Sequence, residues 1–262
     1  MYKLFFFSLL ILSLPFLGFS QDSTTYEIAT DRPSISFSAF TAPKGILIAE
    51  NGYLQNKFRL GTFYIPSIFL RYGISKRLEA RLGDEYSHLS QTIFSMPLTI
   101  SNFLPISVGL KYRINSPEQS KFALSALWTS KIPIPTNLDK TSLRHYGKVL
   151  MQYNFTQKWY GFSNIGLEFL KVQSNVTQFA YTLGLGRNIT NGLYLYFETF
   201  GYEPFQESIS VSSSHGANIG MVYIIKKRYQ LDASFGGNWN EPLSIYHFFN
   251  IGFSTYLKIN SK

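Results

Sequence analysis

The sequence contains no cysteine among its 262 residues. That absence excludes a disulfide framework, a thiolate metal site, a cysteine nucleophile and lipid attachment at a cysteine. Charged residues make up only 15% of the chain, whereas average soluble domains carry about 25%. Aromatic residues reach 17%. The chain therefore has too few charges and too many rings for an ordinary water-exposed surface.

Long apolar runs are missing too, apart from one at the N-terminus. There Lys3 is followed by the mostly apolar residues 4–17, which is the layout of a signal peptide. A spanning helix needs about 20 apolar residues, and Pro15 interrupts this run. We predict a signal peptide over residues 1–20, cleaved before Gln21, which sends the protein out of the cytoplasm; a retained anchor is the alternative.

The positive charge is spread along the chain. Its formal net value is +9, and residues 226–228 form the only run of three basic side chains. A phosphate-tracking stripe is therefore absent, which argues against a nucleic-acid partner and favours contact with lipid headgroups. The four histidines are too scattered for a metal site, and no glycine-rich phosphate loop is visible, so we expect neither a metal nor a cofactor.

A period of two in hydrophobicity recurs along the chain and predicts β-strands. In residues 177–187 large apolar side chains alternate with Ala, Thr and Gly, and residues 78–82, 107–113 and 249–255 behave alike. A soluble β-sandwich also alternates, but it would not combine small inner residues with inner charges such as Lys111 and Arg113. The pattern favours a transmembrane barrel with a polar lumen.

Twelve such segments are visible, each close to the length that spans a bilayer. They lie near residues 45–54, 59–72, 77–86, 104–114, 121–131, 143–155, 159–170, 177–187, 192–202, 214–225, 229–237 and 245–258. Short and long connections alternate, as in antiparallel outer-membrane barrels. We predict an all-β, transmembrane, antiparallel up-and-down β-barrel of about 12 strands over residues 45–262. Residues 21–44 lack the pattern and form either a periplasmic segment or one that folds into the lumen.

Several short motifs resemble a known bacterial family. They are residues 30–33 (TDRP), 38–40 (SAF), 43–45 (PKG), 70–74 (LRYGI), 77–79 (RLE) and 105–113 (PISVGLKYR). The chain resembles the outer-membrane, transporter-like family catalogued as "putative MetA-pathway of phenol degradation", which has many members in Bacteroidetes-type bacteria. The resemblance implies a barrel in the cell outer membrane that moves small solutes, aromatic ones among them.

Charged residues that the register turns inward are the candidate site residues, because a charge facing lipid costs about 2–4 kcal/mol at mid-depth. They are Glu50, Glu79, Arg81, Lys111, Arg113, Lys148, Glu168, Glu198 and Asp232. Either they line a polar path that selects solutes by charge and size, or they pair across the lumen and fill it. A barrel of twelve strands allows both outcomes.

Residues 87–103 read as a long apolar loop, which packs on the barrel rim, plugs it, or gates an apolar solute. A lipid hydrolase is the rival hypothesis, since His88, His145, His215 and His247 supply bases, but no motif fixes a catalytic triad. We therefore predict a porin-like channel or transporter without enzymatic activity, whose partners are outer-membrane lipid and a small-molecule solute. A non-transporting binding or structural barrel is the alternative.

Overall fold

A computed structural model describes residues 26–58, 61–93, 96–115, 121–133, 144–171, 175–206, 212–239 and 247–259. The predicted signal peptide lies outside these residues and stays a prediction. The strands are β1 (Ile46–Phe58), β2 (Gly61–Gly73), β3 (Leu78–Ile93), β4 (Met96–Phe103), β5 (Ile106–Arg113), β6 (Phe122–Ile132), β7 (Arg144–Asn154), β8 (Trp159–Lys171), β9 (Asn175–Thr190), β10 (Leu193–Pro204), β11 (Ser214–Ile225), β12 (Tyr229–Asn238) and β13 (His247–Lys258). None of the described residues forms a helix that could cross a membrane.

The strands close into a barrel of twelve antiparallel staves. Except for β4 and β5, strands that are neighbours in sequence pair with each other, and β1 pairs with β13 from Ile46 opposite Lys258 to Lys57 opposite His247. Strands β4 and β5 pair with different halves of β3. Together they occupy one of the twelve strand positions (staves) of the wall, with an interruption at Leu104 and Pro105. The predicted twelve-stranded barrel is confirmed. Closure leaves no open sheet edge along most of the wall, as a spanning sheet requires in lipid.

The prediction of a long loop over residues 87–103 is wrong. Most of it is strand: β3 continues to Ile93, and β4 returns from Met96 to Phe103 with Tyr86 opposite Phe103. Within the described residues β4 pairs only with β3, because β6 ends at Ile132. The apolar side chains of this stretch therefore belong to a hairpin that extends one side of the wall.

The two faces of the wall differ sharply in polarity. On the outside, Trp128, Leu183 and Phe197 are 50%, 60% and 55% exposed. Their neighbours in sequence, such as Thr129 and Thr182, point inward and are buried. An apolar exterior and a polar interior are what a barrel needs to sit in a bilayer. The wall therefore has the polarity of a membrane-spanning β-barrel, as predicted.

Inward-facing glycines make room for aromatic rings on the inner wall of β8 to β11. Gly184 lies opposite Phe162, and Gly186 lies opposite Tyr160. A Cβ atom on either glycine would come within 2.2 Å of the facing ring. Gly220 lies opposite Tyr196 in the same way, with its Cβ position 2.4 Å from the phenol oxygen. The rings can therefore lie against the wall instead of filling the lumen.

Residues 26–44 cross the interior of the barrel. They contact inward-facing side chains of strands on all sides, from Arg71 on β2 through Asn164 on β8 to Asp232 on β12. Two small apolar clusters add to these polar contacts. One joins Ala39 to residues of β6 and β7, and the other joins Ile28 and Ala42 to β1. We call residues 26–44 the inner segment.

Candidate functional site: the inner segment and the charged inner wall

The structure buries all nine candidate residues on the inner wall. Each is at most 9% exposed. They fall into separate groups along the wall, which are described in turn below. Most of these groups contact the inner segment directly.

Asp31 of the inner segment is the centre of the largest group. Its carboxylate forms an ion pair with Arg81 and another with Lys111, whose Nζ lies 3.3 Å from Oδ1. The guanidinium of Arg71 lies 3.6 Å away, and the backbone N–H of Asp31 donates to the carboxylate of Glu50 at 3.2 Å. A carboxylate carried by the segment thus completes a cluster that the wall leaves incomplete.

Arg71 links this cluster to the rest of the segment. It donates two hydrogen bonds of 2.9 Å to Glu79 and one of 2.9 Å to Glu50. It also donates to the backbone carbonyls of Ala29 and Phe40, both at 3.0 Å. Glu79 in turn accepts from the backbone N–H of Ala42 at 2.6 Å. The inner segment is therefore held through its main chain at both ends of the cluster.

The charges of the cluster balance. The acidic members are Asp31, Glu50 and Glu79, and the basic members are Arg71, Arg81 and Lys111. Without the segment the wall would carry three cations against two carboxylates. Burial raises the pKa of the Asp31 carboxyl, but the three cations outweigh burial and hold that pKa well below its usual range.

Arg32, the next residue of the segment, lies in a notch of the adjoining wall, between β1 and β13. Its Nη2 atom donates to Asn250 Oδ1 at 2.7 Å and to the carbonyl of Ile251 at 2.8 Å, and lies 3.1 Å from Asp232. The notch exists because Gly52 and Gly252 carry no side chains there. Asp31 and Arg32 thus contact adjoining parts of the wall, β1 to β5 in one case and β12 to β1 in the other, and tie both parts to one segment.

A third group fixes the middle of the segment. Glu198 accepts hydrogen bonds from the backbone N–H groups of Ile35 at 2.6 Å and Ser36 at 3.1 Å, and from the Ser36 hydroxyl at 2.6 Å. The Ser36 hydroxyl also lies 2.7 Å from Thr182 Oγ1. Hydrogen bonds to a carboxylate are shorter and stronger than those between neutral groups, so Glu198 anchors the middle of the segment.

A fourth group lies nearer the long-loop end of the wall. Glu168 forms ion pairs with Arg144 and with Lys148, the latter at 3.0 Å. Gln178 donates to the same carboxylate at 3.0 Å. The Lys148 ammonium lies 5.5 Å from the ring centre of Phe37, which is its contact with the inner segment. Arg113, the ninth candidate, instead places its guanidinium 4.8 Å from the ring centre of Phe40.

Sequence reasoning missed several members of these groups. Arg71, Asp31 and Ser36 were not among the candidates, although Asp31 and Arg71 stand inside the family motifs. The partners of an inward charge depend on which strands face each other across the lumen. Asp31 lies in a segment without a strand pattern, so no alternation of side chains predicted which way its carboxylate points.

Two of the histidines contact a serine hydroxyl without a described carboxylate, and a third contacts a carboxylate and a tyrosine hydroxyl. His88 lies in β3, not in a loop as predicted, with Nδ1 2.8 Å from Ser101 Oγ. His145 lies 2.9 Å from Ser130 Oγ. In neither pair does a described carboxylate bond the histidine, as a triad requires. His215 lies 2.7 Å from Glu203 and 2.8 Å from the Tyr181 hydroxyl.

Among the described residues no group of histidines and carboxylates has the spacing of a metal site. We call the end of the barrel that carries turns such as residues 156–158 and 226–228 the short-turn end. It contains a cavity of about 790 Å³ beneath the inner segment. It is bounded by residues 27–40 above and by turn residues such as Lys158 below. The inner segment therefore forms one wall of a half-open chamber at this end of the barrel.

Comparison with known proteins supports this architecture. Residues 30–242 match the family described as "Putative MetA-pathway of phenol degradation". No curated protein matches the sequence. The fold is similar to the COG4313 outer membrane channel from Pseudomonas putida F1, at 11% identity and a TM-score of 0.67, covering 86% of this chain and 100% of that one.

Two further solved structures share the barrel. The NanC porin aligns at 10% identity and a TM-score of 0.58, covering 79% of this chain and 100% of the porin. The translocator domain of the autotransporter NalP from Neisseria meningitidis aligns at 11% identity and a TM-score of 0.55, covering 82% and 90%. At these identities the likeness shows the fold of outer-membrane barrels.

Proposed function

This chain belongs to the family described as "Putative MetA-pathway of phenol degradation", and we propose that it is an outer-membrane channel for small solutes, with aromatic ones included. The observation that carries the proposal is the inner segment, which is held across the lumen by polar contacts to strands on opposite sides. A closed barrel that served only as a membrane anchor would not need a lumen built around one internal polar segment.

The contacts of the segment suit a structure that moves in water. They are mainly hydrogen bonds and ion pairs, which water can replace when the segment shifts, because each partner keeps a hydrated alternative. The two apolar clusters that join the segment to the wall are small. We infer that solute passes where the segment leaves or opens a path along the inner wall.

The nine inward charges form part of that path in this proposal. The groups around Asp31 and Glu168 present charges of both signs to the lumen. Such a wall selects by charge only when the pairs are broken, since a paired charge is compensated locally. In the closed state these residues pair and fill the lumen. In the open state the same residues line a path that selects solutes by charge and size.

A lipid hydrolase has less support. Ser214, the serine next to His215, accepts a hydrogen bond from Asn238 at 2.8 Å instead of contacting that histidine. A nucleophile, a base and an orienting group must be in mutual contact. Our proposal therefore contains no enzymatic step. A binding or structural barrel is tested by the same experiment as the channel.

The absence of cysteine permits a reversible tether. Ser36 and Thr182 have side-chain oxygens 2.7 Å apart, so cysteines at both positions are close enough for a disulfide. The Ser36→Cys/Thr182→Cys protein would be reconstituted in liposomes and in planar bilayers. We expect solute flux and conductance to be low when the disulfide is oxidised and to rise after reduction.

A matched control is the Ser163→Cys/Leu183→Cys protein, whose cysteines are paired between β8 and β9 on the outer face. Its flux should not respond to reduction. If neither protein nor the wild type admits any solute in either state, the channel proposal is wrong and a binding barrel remains. Equal, non-zero flux in both states would keep the channel but reject movement of the segment.

A further inference from the structure

The cavity at the short-turn end has the size of a ligand-binding site. Its volume is about 790 Å³, and small-molecule pockets range from about 300 to 1,000 Å³. The inner segment forms its upper boundary, and Lys121, just before β6, and the turn after β7 contribute to its rim. A solute that passes the segment would enter this chamber before leaving the barrel.

One side of the chamber is an aromatic wall. Tyr160, Phe162, Tyr194 and Tyr196 all line it. The rings of Tyr160 and Phe162 are 5.9 Å apart, and Phe162 meets Tyr196 edge-on at 6.2 Å. The inward glycine Gly184 keeps the Phe162 ring against the sheet. Aromatic side chains in this arrangement favour a flat ring as ligand, through offset or edge contacts.

The charged residues at the chamber differ in the partners that they contact. Arg32 is paired with Asp232, and Glu27 accepts from the Tyr194 hydroxyl at 2.7 Å. Lys121 and Lys158 line the rim, and neither ammonium forms an ion pair in the described part of the chain. Because a neutral hydroxyl leaves the charge of Glu27 in place, the two lysines outweigh it by one positive charge, and a ligand that uses the lysines carries an anionic group.

We propose that this chamber binds small aromatic carboxylates, with the ring against the aromatic wall and the carboxylate towards Lys121 and Lys158. The inference rests on the proposed channel function and names one solute class for it. A neutral aromatic would use the wall but not the lysines. An aliphatic carboxylate of similar size would use the lysines but not the stacking contacts.

The test is calorimetric titration of benzoate into the folded wild-type barrel in detergent, with phenol and acetate as comparison probes. Benzoate should bind more tightly than either. In the Lys121→Gln/Lys158→Gln protein, benzoate affinity should fall about three- to tenfold, as expected for two exposed charge contacts. Phenol affinity should stay the same, and added salt should weaken benzoate binding only to the wild type.

The matched control is Lys226→Gln/Lys227→Gln, which removes two lysines from the β11–β12 turn at the same end, outside the chamber lining. Its benzoate affinity should equal that of the wild type. A second variant, Phe162→Leu, should weaken benzoate and phenol alike. Unchanged benzoate affinity in the Lys121→Gln/Lys158→Gln protein, or an equal loss in the control, would overturn the proposal.

These titrations are independent of transport. If benzoate does not bind but the reduced Ser36→Cys/Thr182→Cys protein conducts, the channel stands and the aromatic carboxylate is rejected. If benzoate binds by the expected contacts and no variant conducts, the chamber stands as a binding site in a barrel that is not a channel.

Discussion

Gly52 and Gly252 lie directly opposite each other on the neighbouring strands β1 and β13, and together they form the notch that holds Arg32. A Cβ atom on Gly52 would come within 1.9 Å of Arg32 Nη1, and one on Gly252 within 2.2 Å of Nε. Glycine normally weakens a strand. Here the missing side chains let a charged residue of the inner segment reach the wall.

Filling this notch should loosen the inner segment. In Gly252→Ala the new methyl group takes the position of the guanidinium, so Arg32 loses its bonds to Asn250 and Asp232. We expect more frequent open events in single-channel recordings. The control is Ile251→Ala, which changes an outward side chain on the same strand. Identical recordings for Gly252→Ala and the wild type would show that the notch does not hold the segment.

Neutralising Asp31 should release the segment and change ion selectivity. In Asp31→Asn the cations Arg71, Arg81 and Lys111 face only two carboxylates. Breaking a buried ion pair costs about 3–5 kcal/mol, and about 3 kcal/mol corresponds to roughly a hundredfold shift in docking. The reversal potential in a salt gradient should move towards anion selectivity. Asp84→Asn removes the same charge without touching the segment and should leave the reversal potential unchanged.

Acid should open the channel through Asp31. Because the pKa of its carboxyl is lowered by docking, the docked state is stabilised above the ordinary aspartate pKa of about 3.9 and loses that stabilisation progressively as pH falls below it. The contribution of Asp31 to open probability should therefore appear as a rise below about pH 4. The rise should be shallower in Asp31→Asn. Equal acid responses in both proteins would assign the effect to other groups.

Removing Glu168 should destabilise the barrel much more than removing an exposed partner. Glu168→Gln leaves Arg144 and Lys148 without their shared carboxylate, and loss of one partner of a buried pair costs about 3–5 kcal/mol. Glu85, whose side chain is 38% exposed, pairs with Lys131 at 3.4 Å, and Glu85→Gln should cost under about 1 kcal/mol. Urea unfolding followed by electrophoretic mobility measures both; similar midpoints would contradict the difference in burial.

The sequence by itself determined the barrel. Lipid outside and polar groups inside impose a period of two on every spanning strand, so residues 177–187 and 107–113 show their strand character without any partner. Composition added the location, because few charges and many rings suit a surface in lipid. The strand prediction failed where this period is missing, in the hairpin of β3 and β4. Met96, Leu98 and Phe103 are all exposed there, so no alternation between apolar and polar side chains marks the strand.

Only the tertiary structure decided how the interior is filled. The sequence places Glu79, Arg81 and Lys111 on the inner face, but not Asp31 among them, since that contact spans 50 residues to Arg81 and 80 to Lys111. Likewise nothing local to Gly52 or Gly252 announces Arg32, 200 residues away from its Asp232 partner. Closure of the barrel brings these residues together. Local sequence patterns follow the solvent on each face, whereas pairing across a lumen follows from the closed geometry alone.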